Sequence, residues 1–177
     1  TTAMKKLTRT QIIYSLDKAH APAIIIDPGE TLLLETYDAR TGTIRNNSDL
    51  LDHPHPLGTN PATGPIFVRG AEPGDTLAVE ILDIVLADEG FLAVKAKTGL
   101  LAEQADRFVT RMIPIRHGQV LFSETIRFPV RPMIGVIGVA SATSTDSPKV
   151  ESPTRRSSCL RVGKKIVISS AALARMA

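Results

Sequence analysis

The chain reads as all-β, a sandwich or barrel of short strands with little helix, and three observations predict it. Some eight short strand-like runs can be traced, Pro/Gly turns separate them at close spacing, and only one stretch is even a weak helix candidate. Twelve prolines and twelve glycines among 177 residues supply that punctuation.

Residues 5–15 alternate weakly and are rich in β-branched side chains, which suggests an edge strand, broken by Ala19-His20-Ala21-Pro22. An apolar run over 23–26, the turn Asp27-Pro28-Gly29-Glu30 and a second run over 31–37 read as a hairpin. Residues 40–49 are polar, with Gly42, Asn46 and Asn47, and predict a loop. From His53 to Leu77 the chain packs rigid turns around a short buried strand, Ile66-Phe67-Val68. Pro54, Pro56, Pro61 and Pro65 each fix φ and push the preceding residue toward extended backbone, so this loop is stiff without being helical. Glu72-Pro73-Gly74-Asp75 is a tight turn into a long alternating strand over 76–86, with 91–97 as its antiparallel return across Ala87-Asp88-Glu89-Gly90. Residues 100–108 are the helix candidate, and 112–115, 119–122 and 123–129 are short strands separated by His117-Gly118 and by prolines. In 132–140, Gly135, Gly138 and Ala140 among Ile, Val and Met let another backbone approach closely. Residues 141–153 form a Ser/Thr/Pro-rich linker, 162–169 a strand and 171–176 a helical turn.

Length allows one domain, or two small ones sharing a core. We divide the chain into a β-sandwich or barrel domain over 1–140 and a linker with a basic tail over 141–177. At 43% hydrophobic and 22% charged the composition is that of an ordinary soluble protein, and no apolar run approaches the roughly 18 residues that span a bilayer. Lys5 and Lys6 have no apolar stretch behind them, so the start does not read as a secretory signal. Cys159 is the single cysteine, which excludes an internal disulfide and a zinc ribbon and fits a reducing cytoplasm. The net charge of +3 is uneven: from Lys149 onward there are seven of the 21 Lys/Arg and one acid, Glu151, so the body is mildly acidic. That tail has no aromatic residue for base stacking, and no nucleic-acid partner is expected.

Asn60-Pro61-Ala62-Thr63-Gly64-Pro65-Ile66 followed by Gly70-Ala71-Glu72-Pro73-Gly74-Asp75-Thr76-Leu77 resembles the central signature of the acetamidase/formamidase family. Glu35-Thr36-Tyr37-Asp38-Ala39 resembles the family's amino-terminal strand end, and Arg131-Pro132-Met133-Ile134-Gly135-Val136-Ile137-Gly138-Val139-Ala140 a later run, in matching order. The resemblance implies an amidohydrolase that cleaves small linear amides, formamide or acetamide, to a carboxylate and ammonia. It fades beyond about Ala140. The family's Gly-Gly-Asn…Asp and Gly-Asp-x-His-Ala…Gly-Asp-Gly-Glu segments have no counterpart in this tail, which reads as a truncated or frame-shifted end at least as readily as a natural one.

Amide hydrolysis needs an activated water and an electrophile for the carbonyl oxygen, and a bound divalent metal such as zinc supplies both. Glu35 and Asp38, at i and i+3 at the end of an apolar strand, converge only if the chain turns between them; otherwise they form a solvated strand end. The resemblance favours Asp38 as a metal ligand and Glu35 as a catalytic group. His53 and His55 point to one side of an extended backbone and suit two imidazole ligands, or equally are exposed loop histidines. His20 and His117 read as surface residues. Asn60 and Thr63 are placed to donate hydrogen bonds to a substrate oxygen, or to cap their own turns. Glu72 and Asp75 serve the turn they flank. Ser123, Ser141 and Cys159 lack a nucleophile elbow or neighbouring base, and no glycine pattern matches a dinucleotide or P-loop fingerprint. With the later motifs missing, the expectation is a partial site with little or no amidase activity in this chain alone. The alternative is a non-catalytic β-sandwich module whose 132–140 stretch and exposed strand edges make it a homo-oligomer.

Overall fold

The computed structural model describes residues 4–72, 75, 77–140 and the backbone of 165–169. These residues contain strands, turns and loops but no helix, so the all-β expectation holds, and none of them forms a helix long and apolar enough to cross a membrane. The strands are β1 (Lys5–Leu7), β2 (Ile12–Ile13), β3 (Ile24–Ile26), β4 (Thr31–Leu34), β5 (Ala62–Thr63), β6 (Ile66–Val68), β7 (Glu80–Val85), β8 (Glu89–Val94), β9 (Val109–Arg116), β10 (Gln119–Leu121), β11 (Arg127–Pro129) and β12 (Lys165–Ser169). One sheet has the order β1-β4-β12-β7, a second β11-β10-β9-β8, and the pairs β2-β5 and β3-β6 stand as two-stranded sheets.

The expected hairpin over 23–37 does not form. β3 pairs in parallel with β6, Ile24 opposite Ile66, whereas β4 pairs in parallel with β1, Lys5 opposite Leu32. The intervening turn is instead a corner held from outside. Glu30 accepts from its own Asp27 amide at 2.7 Å and from Lys5 of β1 at 2.7 Å, while Asp27 receives Arg69, just beyond β6, at 2.7 Å. The side chains leaving this corner build the main core: Leu7, Ile26, Leu32 and Leu34 are buried against Ala23, Ile24, Ile66, Val68 and Ile134. β4 shows the alternation that buries one face, with Leu32 and Leu34 in and Thr31 and Leu33 partly covered.

β7 and β8 also part company. The predicted return strand begins at Glu89 and pairs with β9, Gly90 opposite Ile113, while β7 pairs with β12, Ile84 opposite Ile166. Asp88 anchors the divergence, because its carbonyl accepts the Ile115 amide at 2.7 Å. The short strands expected on either side of His117-Gly118 are β9 and β10, which pair antiparallel across it with both turn residues at positive φ. Ile113, Ile115 and Val120 of these strands are buried, as is Ile44 in the 40–49 loop. The 40–49 loop is tied onto β9 by Thr110 Oγ1 donating to the Asp49 carbonyl and by the Met112 amide donating to Asn47 Oδ1 at 2.7 Å.

Residues 100–108 turn rather than form a helix. Only one α-turn closes, Ala105 N to Leu101 O at 3.0 Å, and Leu100 and Leu101 are exposed, so the two leucines contribute little packing to hold a helix. The turn at Glu72 and Asp75 is as predicted, the Asp75 carboxylate accepting the Glu72 amide at 2.9 Å. The strand expected over 162–169 is found as β12, whereas the linker over 141–153 and the turn over 171–176 lie outside the described residues.

Candidate active-site cavity

A cavity of about 540 Å³ opens beside the main core. Its walls come from β2, β4, β6 and β7, from residues 36–39 and 60–65, and from 133–140. This volume lies within the roughly 300–1,000 Å³ of small-molecule sites. The 132–140 stretch is not a strand. It runs along the cavity, and its small residues allow close contact as expected, although the neighbour is a side chain: a methyl added at Gly138 would fall on Leu16 Cδ1.

The 60–65 segment reaches this wall because three backbone ties clamp it. Asn60 N donates to Ala39 O at 2.8 Å, Gly64 N to Gln11 O at 3.0 Å, and Ala23 N to Pro65 O at 2.9 Å. Asn60 adopts a left-handed φ of 61°, a conformation Asn tolerates better than most residues. Thr63 donates its hydroxyl to the Glu35 carbonyl at 2.8 Å, which ties the central signature to the strand end at 35–39. The Gly64–Pro65 peptide is cis.

Asp38, Asn60 and Thr63 therefore line one cavity. Asp38 also holds its own turn, with Oδ1 accepting the Arg40 amide at 2.7 Å and Oδ2 the Gly42 amide at 3.1 Å. A carboxylate offers about four acceptor sites, so lone pairs remain for a ligand. Glu35 stands behind this wall. Its carboxylate pairs with Lys6 Nζ at 2.7 Å, and the Lys6 hydrogen bond holds its pKa below the ordinary carboxylate value.

His53 and His55 are not on the cavity wall. His53 Nδ1 lies 2.9 Å from Asp52 Oδ1, and this contact lowers the Asp52 pKa. His55 Nδ1 accepts the Leu57 amide at 3.3 Å, and its ring stacks on Tyr14 with centroids 6.0 Å apart. Tyr14 in turn bonds Thr41 Oγ1 at 2.7 Å, so this cluster braces the 38–42 turn from outside. Among the described residues no three His, Cys, Asp or Glu side chains are grouped to hold a metal ion. Without such a set the described residues do not fit a metal centre, and no step is derived through one. Asp17, Thr36 and Tyr37 also face the cavity. Thr36 and Tyr37 sat within a quoted motif, whereas Asp17 belongs to no motif and carried no signal.

A model of the Acetamidase/Formamidase family matches residues 16–160. A putative formamidase of Schizosaccharomyces pombe is 41% identical over 61 residues, which are 33% of this chain and 15% of that protein. The crystal structure of a recombinant predicted acetamidase/formamidase from Thermoanaerobacter tengcongensis superposes with a TM-score of 0.81 at 30% identity, covering 94% of this chain and 68% of that one. An acetamidase from Bacillus halodurans gives 0.82 at 25% identity, covering 96% and 70%. A gamma lactamase from Delftia acidovorans gives 0.56 at 26% identity over 68% of this chain and 32% of its own. The aligned stretch is thus a small part of the curated relative and about two thirds of the first two solved chains.

Proposed function

Because this chain belongs to the acetamidase/formamidase family, we propose that its cavity binds the amide of a hydrolase acting on small linear amides, with acetamide and formamide as the simplest members. The observation that carries the reading is the meeting of two separate signature stretches on one wall: Asp38 from the first, Asn60 and Thr63 from the second. An amide group needs an acceptor for its N–H and a donor for its carbonyl. The free lone pairs of Asp38 serve as the acceptor, and the Asn60 carboxamide serves as the donor. Thr63 donates its hydroxyl proton to Glu35 O, so its role is to fix the wall. Glu35, paired with Lys6, supports the wall through that same carbonyl.

The metal-activated water that the family resemblance implies finds no three-ligand set among the described residues, so hydrolysis by this chain alone is expected to stay below about 1 per second. Ammonia release from formamide and acetamide measures this rate, and a faster turnover would show that the chain suffices. The binding reading is tested by ligand-observed NMR with acetamide. Saturable binding weakened by Asn60→Ala is expected, and absence of saturable binding would overturn it. Elemental analysis of protein purified without chelator is expected to show well under one divalent ion per chain, with no change in Asp38→Ala.

A second reading has its own observation. β7 lies at the end of its sheet with Ile81, Leu82 and Val85 exposed, which suits self-association of a non-catalytic β module.

A further inference from the structure

Among the polar side chains on the cavity wall, Tyr37 has no part in the binding scheme above, and its surroundings single it out. Its ring is held on two sides. The Arg9 guanidinium carbon lies 5.1 Å from the ring centroid, and the Gly42 backbone is so near that a Cβ added there would stand 3.2 Å from Tyr37 Cε1. The main chain around Tyr37 is fixed as well, because two ties from the 60–65 segment fall on either side of it. Thr63 Oγ1 donates to Glu35 O at 2.8 Å and Asn60 N to Ala39 O at 2.8 Å. The phenol hydroxyl, by contrast, makes no hydrogen bond to any described residue. Tyr14, the other tyrosine, engages Thr41 Oγ1 at 2.7 Å and does not line the cavity. A partly buried phenol ordinarily finds a partner for its hydroxyl, so a firmly held ring with an unused donor on a cavity wall is suited to a ligand.

From these observations we propose that Tyr37 is a second donor to the ligand's carbonyl oxygen, beside Asn60. The inference rests on the amide-binding reading and deepens it, by naming what the cavity selects: an amide whose oxygen is a strong acceptor. A carbonyl oxygen carries two lone pairs, and the Asn60 carboxamide meets one of them. The Tyr37 hydroxyl meets the other. Because the Asn60 backbone is tied to Ala39, two residues from Tyr37, the two donors are carried on one braced wall. Sulfur is a weaker acceptor than oxygen, so a thioamide of similar outline gains little from either donor.

Tyr37→Phe tests this with little disturbance, since the variant keeps the ring that Arg9 and Gly42 hold and loses only the hydroxyl oxygen. Isothermal titration or ligand-observed NMR compares acetamide with thioacetamide on both proteins. The parent is expected to prefer acetamide. Tyr37→Phe is expected to bind acetamide about threefold to tenfold more weakly, while thioacetamide affinity changes by less than about twofold. A merely structural role would lower both affinities alike, and that result would overturn the proposal. The chain has two tyrosines and no tryptophan, so its near-ultraviolet absorbance is dominated by the two phenols. Hydrogen-bond donation shifts a phenol band to the red, and saturating acetamide is expected to produce this shift in the parent and in Tyr14→Phe but not in Tyr37→Phe. A shift that survives Tyr37→Phe would count against the assignment. Acetamide binding that Asn60→Ala weakens and Tyr37→Phe leaves unchanged would sink this inference while leaving the amide reading intact. No saturable acetamide binding by the parent would remove both.

Discussion

Asp38 does two jobs with one carboxylate, because it accepts the amides of Arg40 and Gly42 and also faces the cavity. Removing it leaves both amides without that partner, and hydrogen bonds to a charged acceptor contribute roughly 1.5–3 kcal/mol. Asp38→Ala is therefore expected to lower the unfolding free energy measured in urea by an amount in that range, with Asp38→Asn intermediate because the amide retains one acceptor oxygen. Glu35 makes a prediction with a pH sign. Its pKa lies below the ordinary 4.5, first because of the Lys6 hydrogen bond. A depressed folded-state pKa contributes stability that is present above the ordinary value and is lost as pH falls through the depressed one. Melting temperatures should thus separate wild type from Glu35→Gln at pH 7 and converge well below pH 4.5, with the same loss at both pH values counting against the ion pair. Asp38, Asn60 and Thr63 were legible in the sequence through their motifs, whereas the two-residue spacing of His53 and His55 promised shared direction only on extended backbone. The chain turns directly after His55, with Gly58 N bonding His55 O at 3.0 Å, and each ring takes its own local partner, Asp52 for His53 and the Leu57 amide for His55, away from the cavity.

At the scale of elements, periodicity identified strands and failed to pair them. Ile24–Ile26 and Thr31–Leu34 sit either side of an ordinary turn signal, yet Lys5 and Arg69 hold that turn as a corner. No local pattern encodes a side chain arriving from 25 or 42 residues away. The strands either side of His117-Gly118 were legible, and their pairing as the β9–β10 hairpin follows from local order: a short apolar run, a two-residue turn, and another run. Two predictions follow from packing at this level. Ile113 on β9 has no exposed surface, so Ile113→Ala is expected to cost about 2–5 kcal/mol in denaturant unfolding. Gly42 has φ of +71° and an added Cβ would meet Tyr37 Cε1 at 3.2 Å. Gly42→Ala should therefore destabilise by about 1 kcal/mol or more through the left-handed backbone alone, while a neutral result would mean that the turn rearranges.

For the whole molecule, the least legible feature is the place of β12, a strand near the end of the sequence that separates β4 from β7 and leaves β7 as a sheet edge. That edge carries the last prediction. β7 reads Glu80-Ile81-Leu82-Asp83-Ile84-Val85, and an antiparallel copy centred between Leu82 and Asp83 would place Ile81 opposite Ile84 and Glu80 opposite Val85. No two acids face each other in that register, so the edge is compatible with itself across a two-fold axis. Ile81 is 45% exposed and Leu82 50%, which is apolar surface that a second copy would cover. Light scattering behind size exclusion is expected to give a mass rising above 19.0 kDa with concentration. Leu82→Lys should return the mass to that of the monomer with little change in melting temperature, since a side chain already half in water supports little of the fold and an edge lysine is a known block to strand addition. The acetamide titration run on this variant separates the two surfaces: affinity should be unchanged, because Leu82 does not line the cavity. A monomer at every concentration in the parent protein would remove self-association through β7 and leave the cavity argument standing.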